Sequence, residues 1–112
     1  VLGKLLIVTA ILVPVAVIGQ DKPKVEHQAD VEKGNEVFDE QCSMCHHADS
    51  LDRKTGPGLK LLFAKEKLES NGKPVNDANV IERIVKGAKG MPAFDNLSKE
   101  DVTDLIAYLK TI

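Results

Sequence analysis

The chain has 112 residues, 43% hydrophobic and 29% charged, with a formal charge of −2. That length suits one domain. The weak acidity, with no basic cluster interleaved with aromatics, excludes a nucleic-acid-binding protein. Tryptophan is absent, and the aromatic side chains are Phe38, Phe63, Phe94 and Tyr108. Setting aside a first segment of different character leaves about ninety residues, few enough that a bound apolar group helps to complete the core.

Residues 5–18 are an almost unbroken apolar run behind Lys4, interrupted by Thr9 and Pro14. The run is short for a spanning helix, which needs about twenty residues. Residues 1–19 therefore read as an N-terminal membrane anchor or a signal peptide, the anchor being preferred. With Lys4 on the cytoplasmic side, the remainder lies in the periplasm or on the extracytoplasmic face of the membrane. Residues 20–29 are polar, contain Pro23, and read as a linker. His27 in this stretch is expected to be a solvated linker histidine. Its functional alternative is a ligand in some altered state.

Residues 30–41 predict a helix capped by Asp30, with Val31, Gly34, Val37 and Phe38 on one stripe. Gly34 costs about 1 kcal/mol against alanine in a helix interior. Close approach of another helix explains it best. This helix runs into Cys42-Ser43-Met44-Cys45-His46, which is C-x-x-C-H, the attachment signature for c-type haem. On a helical turn Cys42, Cys45 and His46 share one face. The thiols can form thioethers to two vinyl groups, and the imidazole can reach the iron from the same side. A dithiol redox centre would want a strand–helix setting, and none is evident. A zinc site would need two further ligands, and His27, His46 and His47 are poorly spaced for it. A disulfide across two residues would close too small a loop to stabilise much.

Thr55-Gly56-Pro57-Gly58-Leu59 must be a loop that lets backbone approach a flat ligand. Pro57 offers a carbonyl to the second nitrogen of His46, which would fix the tautomer. Residues 59–68 predict a short helical piece with Leu59, Leu62, Phe63 and Leu68 inward. Residues 69–77 are a loop by composition. A helix over about 78–87 follows, capped by Asp77 or Asn76, with Val80, Ile81, Ile84 and Val85 apolar and Gly87 as its stop.

Met91 lies between Gly90 and Pro92, in a segment that must be extended or turned. On its own it is as readily a packing residue as a functional one. Downstream of C-x-x-C-H its thioether becomes the natural second iron ligand, since a His/Met pair raises the reduction potential. Met44 competes, but it sits inside the attachment turn. The last helix opens at Ser98, with Asp101 in the reciprocal capping position and Val102, Leu105, Ile106 and Leu109 as its core stripe. Tyr108 is expected against Gly34 and Phe38. No strand is evident. Lys54, Lys60, Lys86 and Lys89 lie between the two ligand segments, where they would either steer an acidic partner or form an ordinary solvated surface.

Taken together, residues 30–112 resemble class I cytochrome c, specifically the small bacterial single-haem proteins. The elements that carry the resemblance are the Gly34/Phe38 helix, Cys42-x-x-Cys45-His46, the Thr55–Gly58 loop, Gly90-Met91-Pro92-Ala93-Phe94 and the Leu105-x-x-Tyr108-Leu109 helix. The resemblance implies an all-α cytochrome c fold with crossed first and last helices around one covalent haem c. It places His46 and Met91 on opposite iron faces and implies one-electron transfer between redox protein partners, not enzymatic turnover of a small molecule. Two alternatives remain. One is a haem subunit of a larger membrane respiratory or photosynthetic complex; the other is an open-site haem enzyme or gas sensor.

Overall fold

The computed structural model describes residues 26–112, residues 9–19, and positions 3 and 7. Lys4, Pro23 and the first part of the linker lie outside the described residues. Among the described residues three α-helices form: α1 (Val31–Gln41), α2 (Asp77–Lys86) and α3 (Lys99–Leu109). A 3-10 turn over Leu62–Ala64 sits between α1 and α2. Among the described residues there is no strand, only isolated bridges at Lys67–Pro74 and Ala88–Met91.

Each helix begins where its sequence supplies a cap. The Asp30 carboxylate accepts from the Glu32 and Lys33 amides at 3.0 and 3.2 Å, satisfying two of the free donors of α1. Ser98 and Asp101 close the reciprocal box on α3. At α2 the choice between two caps resolves to Asn76, which accepts from Asn79 N–H at 2.8 Å, and Asp77 becomes the first helical residue. Gly87 ends α2 with φ +71°.

The core centres on the crossing of α1 and α3. Phe38 and Leu105 are fully enclosed, and Leu62, Leu68, Val80, Ile84, Val102, Ile106 and Leu109 are buried around them. The helices meet at Gly34, where a methyl group would overlap the Asp104 carbonyl and the Tyr108 side chain. Phe38 and Tyr108 complete the crossing with ring centroids 5.5 Å apart, tilted by 53°. Val31, expected on the inner stripe, is exposed.

Two expectations need correction. Residues 59–68 are not a helical piece beyond the 3-10 turn. Leu61 adopts left-handed backbone with φ +60°, and its N–H donates to the Ile112 carbonyl at 3.0 Å. The segment then folds back on its own loop through Leu68 N–H to Lys73 and Val75 N–H to Glu66. His27 is also not a solvated linker residue. It is half-buried, and its Nε2 lies 2.7 Å from the carboxylate of Asp104, a residue only 3% exposed. The same Asp104 oxygen accepts from the Asp30 amide at 2.8 Å. Burial alone would raise the Asp104 pKa, but the Asp30 amide, the His27 ring and the Lys33 charge together hold it below the ordinary carboxylate range.

Residues 9–19 carry no regular secondary structure. Among the described residues, no helix is long and apolar enough to cross a membrane.

Candidate haem-attachment site

The attachment turn is an extension of α1. The carbonyl of Phe38 accepts from both Cys42 and Ser43, and the Ser43 hydroxyl donates to the Asp39 carbonyl at 2.6 Å. The Cys42 carbonyl then accepts from Cys45 at 3.1 Å and from His46 at 3.0 Å. These i+3 and i+4 bonds are those of a helical turn, so the two sulfurs and the imidazole project from one winding of backbone. Both thiols are half-buried and not disulfide-bonded. Burial, then the neighbouring Cys45, pushes the Cys42 thiol up to about 11. The turn closes the end of α1, and among the described residues no strand precedes it, which is not the strand–helix setting of a dithiol redox centre. Among the described residues no three His, Cys, Asp or Glu side chains cluster as a metal-ion site.

The His46 ring is fixed from the opposite direction by the glycine–proline loop. Its Nδ1 lies 2.7 Å from the Pro57 carbonyl oxygen. A carbonyl can only accept, so Nδ1 carries a proton, and in the neutral ring Nε2 is left with its lone pair. This is the arrangement in which a backbone carbonyl orients a metal-bound imidazole. Gly56 allows it, because any Cβ there would collide with the His46 ring. The loop is laced to the turn by Gly56 N–H to Cys45 (2.8 Å), Leu59 N–H to His47 (2.8 Å) and Lys54 Nζ to the Ser43 carbonyl (2.8 Å).

Met91 comes from a separate loop after α2. Its N–H and carbonyl both pair with Ala88 at 3.0 Å, closing a tight turn with Gly90 at φ +83°. Phe94 N–H donates to the Ile84 carbonyl at 2.9 Å and ties the far end back to α2. Met91 is half-buried and packs on the same apolar cluster as Cys42, Leu59 and Phe94. Met44, by contrast, is 85% exposed and turned away from that cluster. The structure thus brings Cys42, Cys45, His46 and Pro57 together directly and sets Met91 against the core that Cys42 also touches. The donor set fits a covalently held haem: two thiols on one turn, an imidazole with its Nδ1 proton on a carbonyl, and a half-buried thioether.

The four lysines do not form one free patch. Lys54 is spent on the Ser43 carbonyl, and Lys86 pairs with Glu82. Residues absent from the sequence reading also shape the site's surroundings. Asp104 is one, legible only as a carboxylate inside an otherwise apolar stripe. Arg83 is another, and no sequence signal singles it out.

The sequence model of the family described as Cytochrome c matches residues 31–112. The chain belongs to the cytochrome c family. As a member it carries one covalent haem c and serves haem electron transfer. Cytochrome c6 of Bumilleriopsis filiformis is 32% identical over 82 residues, covering 72% of this chain and 90% of that protein. Cytochrome c6 of Parathermosynechococcus lividus is 34% identical over 82 residues, covering 72% and 88%. The cytochrome bc1 complex cytochrome c subunit of Corynebacterium diphtheriae is 31% identical over 85 residues; these cover 74% of this chain but 27% of that one. A solved structure of cytochrome c6 from the diatom Phaeodactylum tricornutum superposes with a TM-score of 0.58 at 26% identity, covering 74% of this chain and 93% of that one.

Proposed function

We propose that this protein is a one-electron carrier whose haem iron is held by His46 and Met91, with Cys42 and Cys45 forming the two thioether bonds. The observation that carries the reading is the 2.7 Å bond from His46 Nδ1 to the Pro57 carbonyl, which directs the Nε2 lone pair away from the loop. Met91 is supported as the opposite ligand by its closed turn and half-buried position against the core, and by the exposure of Met44. A six-coordinate iron changes oxidation state with little rearrangement. A thioether ligand also raises the potential. The protein then acts by burial and orientation and performs no bond chemistry of its own.

The optical spectrum of the purified protein tests this, with Met91→Ala as control. The parent is expected to show the weak near-red sulfur-to-iron band, and the variant to lack it while keeping its covalent haem. A parent spectrum without that band overturns the His/Met assignment. Ready binding of carbon monoxide by the reduced parent at neutral pH would favour an open-site haem protein instead.

For localisation we propose that the apolar run routes the haem domain to the extracytoplasmic side, where it exchanges electrons with redox proteins. Ile11, Leu12, Val15 and Val17 in that run are more than four-fifths exposed, which suits insertion into another apolar phase. A second reading, a haem subunit of a larger membrane complex, is favoured by the likeness to the bc1 complex subunit. Co-purification in detergent would support it, and a freely soluble monomer starting near Gln20 would argue against it.

A further inference from the structure

Arg83 stands on α2 one turn before Gly87 and takes no part in the attachment turn. Its main-chain carbonyl accepts from the Gly87 N–H at 2.9 Å. Its side-chain Nη1 donates to the Gly87 carbonyl at 3.0 Å. One residue therefore grips both polar groups of the residue that ends the helix. Gly87 in turn lies against the backbone of the methionine loop. A Cβ on it would stand 2.7 Å from the Met91 carbonyl oxygen, 2.8 Å from the Ala93 nitrogen and 2.9 Å from the Pro92 carbonyl carbon.

The arrangement has a cost. Arg83 Nε is buried with no hydrogen-bond partner in the protein, the one such side-chain atom among the described residues. A stripped donor of this kind opposes folding. Among the described residues no ion pair offsets it, and the adjacent carboxylate of Glu82 is engaged by Lys73 at 2.8 Å and Lys86 at 3.1 Å. What the guanidinium gains is its bond to Gly87 and a favourable place at the negative end of α2. A planar fork with its pivot buried is also better fixed than a flexible ammonium.

We propose that Arg83 is a positioning residue for Met91. Anchored on the Gly87 carbonyl, it sets the platform from which the Ala88–Met91 turn presents its thioether to the iron. This rests on the reading of Met91 as the ligand.

The test is displacement of the thioether by added imidazole in the oxidised, haem-loaded full chain, followed by loss of the near-red band. Arg83→Met is expected to lower the half-displacement concentration about tenfold, because a loosened turn spends more time off the iron. Lys86→Met removes the same charge from the same end of α2 without touching Gly87, and it is expected to titrate like the parent. If R83M and the parent require the same imidazole concentration, the inference is overturned. Equal weakening by R83M and K86M also overturns it, since long-range charge would then be the cause. Should R83M fail to take up haem, Arg83→Gln decides in its place: it is too short to reach the Gly87 carbonyl, and an unshifted titration sinks the proposal. A parent with no near-red band shows a different failure, that of the Met91 assignment, and removes this inference with it.

Discussion

The two sides of the haem site are built differently. The His46 side is bonded to three separate stretches of chain: the end of α1 through Phe38 and Asp39, the loop through Gly56 and Pro57, and Leu59 through His47. Lys54 adds a bond from side chain to the Ser43 carbonyl. Among the described residues, the Met91 side is bonded to itself and to α2, through Ala88, Gly87 and the Phe94–Ile84 link. The first side is over-determined, so removing one bond leaves the ring held by the rest. The second hangs from one helix end, so its ligand position is as firm as that end. With His46 and Met91 as the proposed iron ligands, a carrier built this way would hold one ligand firmly and one that can be loosened locally.

The comparison would break most visibly at the cysteines. Cys42→Ala combined with Cys45→Ala should abolish covalent haem, read as complete loss of haem stain on a denaturing gel. Met91→Ala should leave that stain at parental strength, because its side of the site has no part in attachment. Loss of stain in the Met91 variant would mean that the two sides assemble together, against the independence argued here.

A smaller effect separates the glycines. Gly56→Val drives a side chain into the His46 ring, an overpacking that costs about 1–3 kcal/mol. Gly90 has open space for a Cβ but sits at φ +83°. Gly90→Ala should therefore cost only the left-handed backbone penalty, about 1 kcal/mol. Denaturant unfolding of the haem-loaded variants measures both. Gly90→Ala should also ease imidazole displacement of Met91, whereas Gly56→Val should act on yield and stability. An inverted order would show that the His46 side is the more pliable one.

What the sequence disclosed follows from how local each feature is. The attachment turn and the caps at Asp30 and Ser98 each lie within a few residues of their cause, so spacing and residue type were enough to read them, whereas the Pro57 carbonyl lies eleven residues from His46 and was read from the glycine–proline loop. The Gly34–Tyr108 crossing was also legible, because a glycine on a buried stripe asks for a partner. Residues 59–68 misled because the helical pattern is overruled at Leu61, whose amide goes to Ile112 at the far end of the chain. His27 misled for the same reason. Its partner Asp104 is 77 residues away, and in a sequence a polar linker residue looks solvated until the buried carboxylate is seen. Arg83 had no signal at all, since its role depends on the carbonyl of Gly87 and not on any neighbour of its own type.

The smallest expected effect concerns the support beneath the His46 side. Asp104 joins α3 to the start of α1, the helix that ends in the attachment turn, and His27 is one of its donors. His27→Ala should cost about 1 kcal/mol, because the Asp30 amide still satisfies the carboxylate. The pH dependence has a fixed sign. The folded-state pKa of Asp104 lies below its ordinary value of 3.8, so its contribution is fully present above that value. It is lost as pH falls through the folded-state pKa. Stability measured from pH 7 down to about pH 3 should therefore fall more steeply in the parent than in Asp104→Asn, with His27→Ala between them. The imidazole titration of Met91 should be the same in His27→Ala as in the parent, because the hydrogen bonds of the methionine loop run to α2 and not to the His27–Asp104 link. A shift in that titration would show that the crossing and the methionine loop are mechanically coupled, and the two sides could then no longer be treated as separately built.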